Sequence, residues 1–201
     1  MQLEQKILNI LKEEIVPAQG CTEPIAIAYV SAKAAEILGQ VPDKIDVYVS
    51  GNMIKNVKSV AIPNSGGMVG IEASVALGAV AGDANEELMV ISNLKDEDIK
   101  KVQKYLDTHT INVIHEKTDV KLYVKVEAFY DECSSLVEIK HFHTNITRIE
   151  RNGELLLDQI CNDFDFKTTS EDRSILNIKT IYDVAKTMNI KRVEAIFDQV
   201  V

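Results

Sequence analysis

The sequence has no tryptophan and only three cysteines, Cys21, Cys133 and Cys161, far apart along 201 residues. An odd, widely spaced set of thiols excludes a disulfide framework and points to a reducing, cytoplasmic compartment. Basic residues are also short. The 22 Lys and Arg stand against 31 Asp and Glu, a formal net charge of −9 without a basic face. That balance leaves no electrostatic footprint for nucleic acid. No apolar run reaches the ~20 residues of a membrane-spanning helix. The N-terminus, "MQLEQKILNILKEE", is amphipathic and acidic rather than signal-like. No internal repeat or low-complexity tract occurs. What is there is 46% hydrophobic and 26% charged, enough for one large domain, or one domain plus an incomplete second.

Leu3, Ile7, Ile10 and Leu11 recur at helical spacing and predict a helix over 2–14. "VPAQGC" breaks it, and a second, alanine-rich helix follows over 23–38. "KIDVYVS" (44–50) alternates, with Ile45, Val47 and Val49 on one face, and reads as a strand. The next stretch, "GNMIKNVKSVAIPNSGG", mixes Gly, Asn and Pro with short apolar pieces and reads as a loop with room for a short helical turn. Residues 68–83, nearly free of charge and rich in Ala and Gly, predict a helix buried on most sides. Helices are expected over 85–92 and 96–107, then strands over 111–117, 120–130, 135–143 and 146–151. "RNGE" (151–154) signals a type I′ hairpin into "LLLD". Helices followed by an antiparallel meander make the class α+β rather than doubly wound. This α+β domain covers 1–157, and the polar, aperiodic stretch 158–173 reads as a linker. Residues 174–201 read as the start of a truncated helical part. Their apolar face ends on Ile196, Phe197, Val200 and Val201 without a cap, which implies a longer protein or a subunit that docks onto another chain.

Three stretches concentrate polar residues at predicted element ends. In "QGCTEP", Cys21 stands just ahead of a helix whose first turn admits Pro24, with Thr22 or Glu23 as cap and Gly39 closing it. Orphan N–H groups and the helix dipole there favour thiolate, the form that attacks electrophiles or binds metal. The alternative is a small residue packed at a helix entrance. In "SGNMIKN", Ser50, Asn52, Lys55 and Asn56 directly follow a strand. A Lys between two Asn can hold a carboxylate, or serve as a base if buried; the alternative is a solvated turn. In "IPNSGGMVG", Ser65, Gly66 and Gly67 lead into the buried helix, where backbone N–H groups can cradle an anion. The stretch lacks both the P-loop Lys-Ser/Thr and GxGxxG spacing, so a small carboxylate suits it better than a nucleotide. Glycines letting a loop cross under a helix would also explain it.

The histidines carry less. His141 and His143 in "KHFHTNI" alternate on a predicted strand, sharing a face with Phe142 opposite, but no third ligand stands at zinc spacing. "HTN" at a strand end suits the polar groups of a substrate. His109, His115, Cys133 and Cys161 stand without activating neighbours.

Taken in order, "VPAQGCTEPIAIA", "VSGNMIKN", "IPNSGGMVG", "ALGAVAGDANEEL" and "HTNI" resemble the L-cysteine desulfidase family, which is related to the iron–sulfur L-serine dehydratase α-chain proteins. The resemblance covers roughly residues 8–157. It departs from the family's usual "PALGCTEP" at Gln19 and from "PGTG" at Asn64-Ser65-Gly66. What it implies is a lyase that converts L-cysteine to pyruvate, ammonia and sulfide with a [4Fe–4S] cluster and no pyridoxal phosphate. Cys21 then matches a cluster ligand, or the thiolate base. Asn52, Lys55, Asn56, Ser65, Gly66 and Gly67, with His143 and Asn145, would hold the amino acid. The remaining cluster cysteines are expected in a C-terminal half or a partner subunit, within a possible homo-oligomer. As these 201 residues stand, the expectation is an inactive substrate-side part. L-serine dehydration and a non-catalytic amino-acid-binding subunit are the alternatives.

Overall fold

The computed structural model describes residues 2–15, 17–159 and 172–198. Cys161, Val200, Val201 and most of the stretch read as a linker lie outside the described residues. The chain forms two compact units, one of residues 18–161 and one combining 1–17 with 162–201. The first helix therefore groups with the C-terminal helices, and not with the α+β body in which the sequence reading placed it.

In the larger unit, α2 (Thr22–Leu38) and α4 (Gly70–Ala81) lie side by side at the centre. Their small residues permit the approach. A Cβ on Gly78 would lie 2.0 Å from the Ala28 carbonyl oxygen, so two backbones touch there. Gly39 ends α2 in the left-handed region (φ 88°), its N–H bonded to the Ala35 carbonyl.

These helices cover one face of a six-stranded sheet. The strands are β1 (Lys44–Ser50), β2 (Thr110–Glu116), β3 (Tyr123–Tyr130), β4 (Cys133–Lys140), β5 (Ile146–Arg151) and β6 (Glu154–Asp158), in the order β2-β1-β3-β4-β5-β6. Ile45, Val47 and Val49 of β1, Val124, Val126 and Ala128 of β3, and Val137 and Ile139 of β4 are fully buried, the period-2 face that the alternation predicts. The class is α+β, and β3–β6 form the expected antiparallel meander. Asn152 and Gly153 both take positive φ (52° and 78°), as a type I′ turn requires.

Four details differ from the sequence reading. The sheet is mixed: β1 pairs with β2 in parallel, because the chain returns to the same end of the sheet through intervening helices. The stretch after β1, expected as a loop with room for a short helical turn, opens with a seven-residue helix, α3 (Gly51–Val57), capped by the Ser50 hydroxyl, which accepts from the Met53 N–H. Residues Ala84–Met89 form a 3₁₀ segment kinked at Glu87 (φ 46°) rather than an α-helix. Finally β4 stops at Lys140, and His141 turns away with φ 70°, so His141 and His143 do not alternate on a strand. The remaining helix of this unit, α5 (Asp96–Thr108), matches its expected span and carries three acids in its first turn.

In the smaller unit, α1 (Gln2–Glu14) joins a 3₁₀ turn (Arg173–Ile175), α6 (Ile178–Thr187) and α7 (Ile190–Phe197). Asn177 and Asn189 cap the last two through their side-chain oxygens. Arg192 pairs with Glu4, and Arg173 with Glu13 and Glu14. Among the described residues, Ile7, Leu8, Ile10, Val184 and Ile196 are its buried side chains. Among the described residues no helix is long and apolar enough to cross a membrane.

Candidate functional site

Two of the three polar stretches, "QGCTEP" and "SGNMIKN", meet at one carboxylate, Glu23. Cys21 is the N-cap residue of α2, with extended backbone angles, but its side chain does not cap the helix. Instead its thiol donates to Glu23 Oε2 at 3.2 Å. Thr22 Oγ1 donates to the same oxygen at 3.3 Å. From α3, Asn56 Nδ2 donates to Glu23 Oε1 at 3.2 Å. From the turn between β4 and β5 comes His143, on which the Glu23 charge acts.

Several features of the chain hold these groups in place. Gly20 takes φ 80°, and a Cβ there would sit 2.5 Å from Pro63 Cγ. Only glycine lets the "IPNSGG" loop pass so close beneath the approach to α2. The Gln19 N–H bonds the Leu88 carbonyl, anchoring the segment before Cys21. Ser50 both caps α3 and donates to the Lys121 carbonyl at 2.6 Å, tying the helix that carries Asn56 to the segment that leads into β3.

The electrostatics reverse one expectation. A helix entrance favours thiolate, yet the Cys21 thiol is pushed above its ordinary value, first by burial and then by its hydrogen bond to Glu23. The nearby carboxylate outweighs the backbone N–H that would stabilise a thiolate. Burial works on Glu23 in the raising direction. Hydrogen bonds from Cys21, its own backbone, Thr22 and Asn56 outweigh it and hold the carboxyl below its usual range. Near neutral pH the pair is therefore thiol and carboxylate, with the proton on sulfur. Burial lowers the His143 imidazole, against the pull of Glu23, so this ring is neutral. Its Nε2 is buried without a hydrogen-bond partner among the described residues, and so is Gln19 Oε1.

The other predicted residues lie elsewhere. Asn52 and Lys55 are exposed on α3, outside the Glu23 cluster. Ser65 is buried, and its hydroxyl donates to the Ile62 carbonyl at 2.7 Å while accepting from the Met68 N–H at 2.9 Å. It closes its own loop. Asn145 does likewise, its amide donating to the Lys140 carbonyl at 3.0 Å. Gly66 and Gly67 take φ 71° and 91°, and Gly66 lines an open groove of about 570 Å³ with Asn64, Leu94, Lys95, Asp96, Ile99 and Lys100. Cys133 is exposed at the start of β4.

Glu23 is the residue that sequence reasoning missed as a site member, although it was named as a capping candidate. The available signal was an acid two residues after the cysteine, in the first turn of a buried helix, where the dipole favours a carboxylate.

The chain is 53% identical over 197 residues to a UPF0597 protein of Fusobacterium nucleatum, a match covering 98% of this chain and 46% of that one. It is 41% identical over 195 residues to a UPF0597 protein of Lachnoclostridium phytofermentans and 38% identical over 192 residues to one of Treponema denticola. These matches cover 97% and 96% of this chain, and 46% and 44% of theirs. No family model and no solved structure matches the chain. Over nearly its whole length, then, the chain is similar to UPF0597 proteins, and it spans about half the length of the curated relatives it matches.

Proposed function

We propose that this chain is the substrate-side part of an iron–sulfur lyase that eliminates sulfide from L-cysteine, with Cys21 as a cluster ligand. The observation that carries the reading is the convergence of the "QGCTEP" and "SGNMIKN" stretches on Glu23, whose carboxylate takes hydrogen bonds from Cys21 and Asn56 and whose charge acts on His143.

A [4Fe–4S] cluster is held by several cysteine thiolates. The described site offers one, and among the described residues no group of three His, Cys, Asp or Glu is placed to hold a metal ion. Cys21 fits as a single ligand, and the remaining thiolates would come from polypeptide beyond these residues. When bound, the cluster would supply a Lewis-acidic iron for the substrate sulfur. The chain's own residues do the rest. The Cys21 sulfur, which carries the proton, lies 3.2 Å from Glu23 Oε2, so the carboxylate can take that proton when the sulfur becomes a ligand. Asn56 fixes the carboxylate from the opposite side. His143 Nε2, neutral and unpartnered, is a hydrogen-bonding site for a polar group of a small amino acid. Asn52, Lys55, Gly66 and Gly67 are exposed and lie outside the Glu23 cluster, so they have no part in this reading.

A second reading, a non-catalytic amino-acid-binding subunit, is favoured by the same raised thiol, which is a poor nucleophile and a poor metal ligand until deprotonated. The test is anaerobic reconstitution with iron and sulfide, in the presence of the part that the relatives carry outside the shared region. Pyruvate and sulfide from L-cysteine support the lyase. Pyruvate from L-serine alone assigns the dehydratase chemistry instead. A cluster-loaded protein that binds either amino acid without turnover supports the binding subunit.

A further inference from the structure

The smaller unit leaves an apolar stripe uncovered. On α6, Ile178, Ile181, Tyr182 and Ala185 follow one another at i, i+3, i+4 and i+7, so a single face carries all four. Ile178 is 89% exposed, Tyr182 57% and Ile181 48%. Buried Val184 lies at i+3 from Ile181, so among the described residues only one edge of this apolar face is covered and the rest is open. α7 repeats the arrangement: Ile196 is buried and Val193 half-buried, while Ile190 (71% exposed) and Phe197 (48% exposed), at i, i+7, form the open edge of the same apolar face. Scattered surface leucines or isoleucines need no explanation, but five large apolar side chains aligned on two successive helices do. An apolar face wider than the side its own unit covers leaves room for a further neighbour.

The relatives indicate the second neighbour. They align with almost all of this chain, yet that alignment uses less than half of their own length. Each therefore carries a further polypeptide stretch, longer than this chain, that has no counterpart among these 201 residues. We propose that the α6–α7 stripe is the docking face for that stretch, received as an apolar helix face seated in a groove. The inference concerns assembly and stands independently of the lyase reading.

Hydroxyl-radical footprinting tests it, comparing this chain with the intact Fusobacterium nucleatum relative. In the 201-residue chain the side chains of Ile178, Ile181 and Tyr182 should oxidise rapidly and independently of protein concentration. In the intact relative the aligned helix should oxidise about tenfold more slowly. There, an Asp at the position aligned with Ile181 should restore rapid labelling of the helix, since an unpaired charge at an apolar seat disrupts docking. Circular dichroism of Ile181→Asp in this chain should be unchanged, because that side chain lies on the open face. Equal labelling in the chain and in the intact relative would overturn the proposal. Protection of the chain alone that grows with its concentration would also overturn it, by assigning the stripe to a second copy.

Discussion

The crossing of α2 over α4 makes Gly78→Ala the most informative single substitution. The added methyl carbon would lie 2.0 Å from the Ala28 carbonyl oxygen, 2.7 Å from its carbon and 2.8 Å from Ala28 Cα. All three are backbone atoms, so no side chain can rotate away. Ordinary contact begins near 3.4 Å, so α2 and α4 must part by about 1.4 Å. Elsewhere in a helix, glycine to alanine gains up to about 1 kcal/mol from propensity. Overpacking a tight core costs about 1–3 kcal/mol, occasionally more, and here backbone meets backbone, so the upper end applies. The expected net loss is about 2 kcal/mol, or roughly 4–8 °C in melting temperature at this chain length. Gly67→Ala is the control. Nothing lies within 4 Å of its added carbon, and only the φ of 91° opposes it, a cost of about 1–2 kcal/mol without any helix displacement. Denaturant unfolding followed by circular dichroism measures both. Because α2 carries Cys21 and Glu23 at its start, Gly78→Ala should also change the reactivity of the Cys21 thiol, and Gly67→Ala should not. A Gly78→Ala protein as stable as the parent, or more stable, would refute the close-crossing argument.

Three further outcomes follow from the site and the sheet. In a Cys133→Ser, Cys161→Ser background, alkylation of Cys21 should show a midpoint above the ordinary 9.0, and Glu23→Gln should bring it down; an unchanged midpoint would mean that Glu23 does not hold the thiol proton. Asn56→Ala should cost about 1 kcal/mol of stability by removing a donor to Glu23, whereas Asn52→Ala, exposed on the same helix, should stay within about 0.5 kcal/mol. Glu138 is 7% exposed on the sheet and accepts from Tyr123, Thr147 and Lys140. Burial pushes its carboxyl up, but these donors prevail and hold it below the ordinary 4.5. Its stabilising contribution is thus complete above pH 4.5 and is lost as pH falls through the folded-state value. Glu138→Gln should flatten that acid limb, and an unaltered slope below pH 4.5 would contradict the assignment.

Much of the architecture is legible in local pattern. The alternation of Ile45, Val47 and Val49, the small residues of 70–81 and the Asn152-Gly153 turn each follow from a rule that needs no tertiary information. What escaped depends on partners distant in sequence. The parallel pairing of β1 with β2 is set by how the intervening helices return the chain, which alternation does not encode. The stretch 51–57 reads as a loop with room for only a short helical turn because Gly51, Asn52 and Asn56 are poor helix formers; Ser50 as cap, with Met53 and Val57 buried four residues apart, is the signal for the full helix. At Glu23, two of the polar stretches come together, "QGCTEP" and "SGNMIKN", through a residue whose role depends on a partner 33 positions away. A dipole argument at Cys21 took account of the helix and not of the carboxylate two residues on, which dominates the thiol. Ser65 and Asn145 looked available because their hydrogen bonds run to backbone atoms three and five residues away, within their own loops.

Sulfide release from L-cysteine, followed anaerobically after cluster reconstitution with the relatives' unshared part present, is the decisive measurement. It should compare the parent with Cys21→Ala, Glu23→Gln and Asn52→Ala. A site gathered around Glu23, with Cys21 on the cluster, predicts an active parent, no sulfide from Cys21→Ala and strongly reduced sulfide from Glu23→Gln. Asn52→Ala, lying outside the Glu23 cluster, should remain close to the parent. Full activity in both Cys21→Ala and Glu23→Gln would contradict it and reduce the cluster around Glu23 to a packing feature of the α2 entrance.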